Sequence, residues 1–191
     1  MKTIMFATAL TMGLGATAAT AAEKFVLDAS HSQVVFNYNH LGFSTTYGMF
    51  SGFEGEIMFD EANPAASSVT VSMPVMSMFT GWEQREGHFM SDDFFGAAEG
   101  DLVTFTSTSI EVTGDDTALI TGDLSMNDVT KSVVLDAKLN KVGDHPMAGK
   151  PWMGFDATTT LMRSDFNVGA FAPAVSDEVQ VTISVEAMKA E

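Results

Sequence analysis

The chain has 191 residues, with 25 acidic side chains against 9 basic ones and a formal net charge of −16, so its long-range field repels nucleic acid and anionic headgroups. It contains no cysteine, which excludes disulfides, thiolate metal ligands, a cysteine nucleophile and a lipid anchor on cysteine. Length and a 46% hydrophobic share fit one domain with one substantial core.

Residues 1–22 read as an export signal. Lys2 supplies the positive end, 4–14 is a short and mostly apolar run, and small residues lead to a cleavage site at Ala19-Thr20-Ala21 or one residue later, before Glu23. That run is too short and too rich in Ala, Gly and Thr to span a bilayer. The domain proper is then 23–191.

Strands are expected at about 25–39, 47–59, 67–78, 101–113, 117–126, 129–142, 151–163 and 177–188. Alternation is clearest late in the chain. Val133, Leu135, Ala137 and Leu139 face one way, and Ser132, Asp136, Lys138 and Asn140 the other; Val179, Val181, Ile183, Val185 and Ala187 repeat the pattern. Turn residues separate the strands at Asn63-Pro64, Gly114-Asp115-Asp116, Asn127-Asp128, Gly143-Asp144 and Ala172-Pro173. Such close neighbours favour an antiparallel meander, and eight strands close a barrel that either packs solid or holds one ligand. In the fourth strand Val103 and Phe105 share a parity that Ile110 and Val112 do not, which calls for a bulge near Ser107 to Ser109.

The stretch between the third and fourth strands breaks the alternation. Thr80-Gly81-Trp82-Glu83 has the form of a capping box, and Ser91-Asp92-Asp93 that of a second helix cap, so two short helices are expected. They carry Trp82, Phe89, Phe94 and Phe95, aromatics dense enough to plug one end of the barrel.

Chemistry-bearing patterns are sparse. His31 and His40 fall on opposite faces of a regular first strand, His88 lies in the insertion and His145 in a turn, so no metal-binding set converges. There are 14 methionines; Met76 and Met78 share a strand face that Met73 does not, which favours filling or lining over a copper site. No phosphate loop, nucleophile elbow or HExxH helix is present. Asp60 and Glu61 read as solvated turn residues. The two arginines, Arg85 and Arg163, stand among aromatics. Each either meets the polar head of a ligand or closes the barrel end, Arg163 by an ion pair with Asp165 or Glu178.

Taken in order, these residues resemble the YceI-like family of secreted lipid-binding proteins. The resemblance runs from Asp28-Ala29-Ser30-His31-Ser32, Phe36, His40 and Gly48-Met49-Phe50 through Arg85-Glu86-Gly87-His88-Phe89-Met90-Ser91 and Asp93-Phe94-Phe95. It continues with Val103-Thr104-Phe105, Gly122-Asp123-Leu124 and Val129-Thr130-Lys131, and closes at Arg163-Ser164-Asp165-Phe166 and Asp177-Glu178-Val179. Departures are small: Glu86 replaces the usual Asp, Phe89 a Leu, and Asn127 and Asn167 each a Gly.

The resemblance implies an all-β fold, an extended eight-stranded antiparallel lipocalin-like barrel with a short helical insertion. Its interior would hold a polyisoprenoid, an isoprenoid quinone or a fatty amide. The expected function is that of a periplasmic, non-catalytic carrier, with no cofactor beyond the bound isoprenoid lipid or quinone. A prenyl chain of about forty carbons, at about 0.3 kcal/mol per heavy atom, would gain roughly 12 kcal/mol from such a tunnel. Phe36, Tyr38, Phe53, Phe105, Leu135 and Phe155 are the expected lining; Phe89, Phe94 and Phe95 would narrow the mouth, with Arg85 and His88 near the ligand head. The alternatives are a redox accessory that presents quinone to a membrane cytochrome of the b type, and a metal-dependent hydrolase using His31, His40 or His88. Nucleic acid is excluded as a partner, and a homodimer is left open.

Overall fold

The computed structural model describes residues 22–191, so the expected export signal lies, apart from Ala22, outside the described residues. Ten antiparallel strands form: β1 (Glu23–Leu27), β2 (Gln33–His40), β3 (Ser44–Phe50), β4 (Glu54–Phe59), β5 (Ser68–Pro74), β6 (Leu102–Val112), β7 (Thr117–Met126), β8 (Val129–Asp144), β9 (Pro151–Met162) and β10 (Glu178–Lys189). They make eight staves, because β1 with β2 and β3 with β4 are each one bent strand. β10 pairs along its C-terminal part with β1 and along its N-terminal part with β2. β4 follows β1 and β3 follows β2. From β4 the order runs β5-β6-β7-β8-β9-β10, and the β1–β10 pairing closes an eight-stranded antiparallel barrel.

The break in the first stave is local chemistry. The Asp28 carboxylate accepts the Ser30 amide at 3.0 Å and its hydroxyl at 2.7 Å, which turns the chain through Ala29–His31. Phe25 and Leu27 lie buried before the turn, and Phe36 and Tyr38 after it, so the inward parity switches across the turn. The expected bulge in β6 is present, with the register shifting between Ser107 and Ser109. A second shift, between Leu139 and Lys141 in β8, puts Val142 opposite Met153.

One barrel end carries the β2–β3 hairpin, the insertion 75–101 and the segment 163–177; the other carries the loop 60–67 and the hairpins after β6 and β8. The insertion differs from expectation. A single helix forms, α1 (Glu83–Met90), capped at Trp82 without a side-chain bond. Glu86, not Glu83, reaches back to Thr80: its carboxylate accepts the Thr80 amide at 2.6 Å and faces the Thr80 hydroxyl at 3.3 Å. Ser91 ends α1 instead of starting a second helix: its amide and its hydroxyl both donate to the His88 carbonyl, the hydroxyl at 2.7 Å. The methionine pairing also differs. The chain turns at Val75–Ser77, which brings Met73 and buried Met78 to the same interior cluster and leaves Met76 exposed.

Candidate functional site

The inward faces do not meet. They enclose a cavity of about 890 Å³ whose wall is overwhelmingly apolar. Ile110, Ile120, Val133, Leu135, Leu139 and Phe155 line it and stay only half-buried, as inward side chains do when they face a hollow rather than one another. Buried side chains pack in three clusters: Phe25, Leu27, Phe53, Ile57, Met153 and Ala187 on one flank, and two groups toward the insertion end, one around Phe36, Tyr38, Phe50 and Val181, the other around Val75, Phe94, Leu124 and Phe166. The cavity wall reaches Pro64, Asp115 and Asp116 at one barrel end and Leu41, Trp82, Arg85 and Phe171 at the other.

The residues expected to line the ligand lie on this wall: Phe36, Tyr38, Phe53, Phe105, Leu135 and Phe155 along the bore, and Arg85, His88, Phe89, Phe94 and Phe95 at the insertion end. Sequence reasoning missed much of the aliphatic lining, including Val34, Val71, Met73, Ile110, Ile120 and Ile183. The same inward parity marks them. Missed too were Leu41 and Phe171 at the mouth, while Trp82 stands on the wall at the barrel end where the aromatic insertion was expected.

At the insertion end the aromatics form a connected series. Tyr38 meets Phe89 edge-on at 6.2 Å, Phe89 meets Phe94 at 5.0 Å, and Phe94 lies 6.0 Å from Phe171. His88 stands edge-on to Phe94 at 5.1 Å, with its Nε2 3.0 Å from the Asp93 carboxylate. Arg85 lies over the Trp82 ring, 5.5 Å from its centroid, and donates to the Thr80 carbonyl at 3.3 Å.

Arg163 has a different task from the expected ion pair. Its Nε donates to the Ser176 carbonyl at 2.8 Å, Nη1 to Val168 at 2.9 Å and Ala170 at 3.1 Å, and Nη2 to Val175 at 3.0 Å. One guanidinium thus ties the segment 167–176 to the barrel, because its fork matches several carbonyls at once. Asp165 pairs instead with Lys131 at 3.6 Å. Burial lowers the Arg163 pKa, while Asp177 acts to raise it. Asp177 accepts the Ser164 hydroxyl at 2.6 Å and its amide at 2.7 Å, and these bonds hold its carboxyl below the usual range.

The histidines do not share a centre. Among the described residues, the one grouping with metal-ligand spacing is Asp28, His31 and Glu186, none of which lines the cavity. His31 Nδ1 lies 2.7 Å from Asp28 and 3.0 Å from the Ser30 hydroxyl, and the Trp152 indole donates to Glu186 at 2.7 Å. His40 and His88 are on the cavity wall instead, at the insertion end.

The description of the YceI-like domain matches residues 25–187. Protein YceI of Escherichia coli O17:K52:H18 is 41% identical over 189 residues, covering 98% of each chain. Among solved structures, Burkholderia cenocepacia BcnA superposes with a TM-score of 0.75 at 25% identity, over 84% of this chain and 98% of its own. A polyisoprenoid binding domain from Saccharophagus degradans shares the fold with a TM-score of 0.68, at 15% identity, over 90% of this chain and 100% of its own. With a family match across nearly the whole barrel and a relative of that identity over full length, the chain belongs to the YceI-like family.

Proposed function

We propose that this protein is a non-catalytic periplasmic carrier that holds a long apolar molecule, a polyisoprenoid or an isoprenoid quinone, along the axis of its barrel. The observation that carries the reading is the cavity of about 890 Å³, apolar along its length and bounded by water-exposed residues at both barrel ends. At about 30 Å³ per water, that space equals roughly thirty waters. A chain of about thirty carbons filling it would gain roughly 9 kcal/mol at 0.3 kcal/mol per heavy atom, a dissociation constant somewhat below micromolar. Dispersion and water release provide this without a specific polar contact. The Saccharophagus degradans domain, described as polyisoprenoid binding, supports the ligand class, and the export-signal pattern of 1–22 supports the compartment.

Phe36, Tyr38, Phe53, Phe105, Leu135 and Phe155 grip the chain in this reading, Phe89, Phe94 and Phe95 narrow its passage, and Arg85 and His88 stand beside its head. Native mass spectrometry and solvent extraction of protein purified from its own host test it. A stoichiometric prenyl species is the expected result; a protein that carries no apolar molecule and takes none up overturns it. Cross-linking in membranes that captures a cytochrome of the b type would instead favour the redox-accessory reading.

A further inference from the structure

At the insertion end, the large apolar side chains do not stop at the cavity wall. Phe43 is 89% exposed, Phe171 58%, Trp82 54% and Leu41 48%. Leu41, Trp82 and Phe171 are at once exposed and part of the cavity wall, so the greasy surface runs unbroken from the bore to the outside. Tyr47 and Phe79, also exposed, stand on the adjoining outer wall where β3 meets the insertion. Among the described residues, these are all of the exposed Phe, Tyr and Trp side chains.

Backbone conformation singles out the same rim. Among the described residues, five other than glycine have a positive φ. Three of them, Asn127, Asp128 and Asn167, are of the types that tolerate the left-handed region. The other two are Leu41, at 57°, and Phe171, at 64°. A bulky side chain there is strained, and the turn Leu41-Gly42 would be served better by Asn-Gly. Both large residues that bear this strain point apolar surface at the mouth, the pattern expected where function outweighs local stability.

We infer that this rim is a docking surface for a lipid bilayer with neutral headgroups, inserted at its interface while ligand passes between the hydrocarbon and the bore. The inference rests on the proposed carrier function, whose cargo is insoluble and has to come from a hydrocarbon phase. Trp suits the bilayer interface through its apolar body and polar N–H, and Phe and Leu supply the apolar surface that inserts below it. The net charge of −16 makes an anionic surface the wrong partner and leaves apolar insertion as the driving force.

The test uses flotation of the purified protein with phosphatidylcholine vesicles and with vesicles enriched in phosphatidylglycerol. In parallel, squalene uptake is measured from cyclodextrin and from vesicles. The protein is expected to float with neutral vesicles, to do so unchanged at high salt, and to float less with anionic ones. Phe43→Ser lies outside the cavity wall; it should lower flotation about tenfold and slow uptake from vesicles while uptake from cyclodextrin stays the same. Leu41→Asn should raise thermal stability and yet lower flotation, a combination that a purely structural turn residue does not give. Absence of flotation overturns the inference, as does a Phe43→Ser protein that floats like the parent. A dimer that Phe43→Ser dissociates, with no flotation, would assign the rim to a second copy of the chain and overturn it too. Flotation without squalene uptake from either source would keep the docking surface and defeat the proposed cargo.

Discussion

A Cβ at Gly48 would stand 2.3 Å from the Phe36 ring, and one at Gly122 2.4 Å from the Phe105 ring, so both phenyl groups lie across bare backbone. The rings thereby hug the wall and leave the axis clear. Gly48→Ala should swing Phe36 into the bore, cost about 1–3 kcal/mol in urea unfolding and reduce squalene uptake several-fold. Arg163→Met should cost about 3 kcal/mol, because the carbonyls of Val168, Ala170, Val175 and Ser176 lose one shared donor, and Arg163→Lys should restore little of it. Arg163 was visible in the sequence as one of two arginines, but its partners were not: backbone carbonyls leave no trace in residue types. Acid stability follows from Asp177. The Ser164 hydroxyl first, then the Ser164 amide and Arg163, hold its pKa below 3.8 against the effect of burial. A depressed folded pKa gives stability that is complete above about pH 4 and is lost as pH falls through the folded value. His31 works in the opposite sense, since Asp28 raises its pKa: its contribution is complete below about pH 6.5 and is lost as pH rises through the folded value. Thermal melts across pH should show the acid limb flatten in Ser164→Ala.

Elements were legible wherever parity was unbroken. β7, β9 and β10 match their expected spans within a residue or so, and the bulge in β6 follows from the clash between Phe105 and Ile110. The same kind of clash, Leu139 against Val142, marks the bulge in β8 and was available in the sequence. The break at Asp28 was harder to see, because Ala29-Ser30-His31 is compatible with a strand until the Asp28 carboxylate takes both Ser30 donors. In the insertion, capping chemistry was recognised but assigned to the wrong partners. A Ser before acidic residues favours a helix start, yet here Ser91 is the C-cap of α1, its hydroxyl bonded to the His88 carbonyl. Glu86 carries the anchor from Thr80, whose amide holds its carboxyl below the usual range. Glu86→Ala should therefore speed hydrogen exchange at the α1 amides with little change in the barrel strands, as exchange mass spectrometry would read.

At the scale of the molecule, the sequence specified a barrel but not how full it is. Alternation reports which side chains point inward; whether they touch across the axis depends on stave tilt and on the volume left over, which no local pattern encodes. The hollow also separates stability from ligand uptake. Ala137 and Ala157 are paired across β8 and β9, both buried and both on the cavity wall. Ala137→Phe should plug the bore midway, lowering squalene affinity at least tenfold while the urea midpoint holds or rises, because a void is filled. The two-ended course of the cavity has a consequence of its own. A bore whose wall reaches from Pro64, Asp115 and Asp116 to Leu41, Trp82 and Phe171 sets a guest's girth along the whole barrel. Polyprenols with more carbons than the bore can cover should compete as equals, their surplus units trailing past Asp115 and Asp116, while a bulky sterol of the same mass is refused.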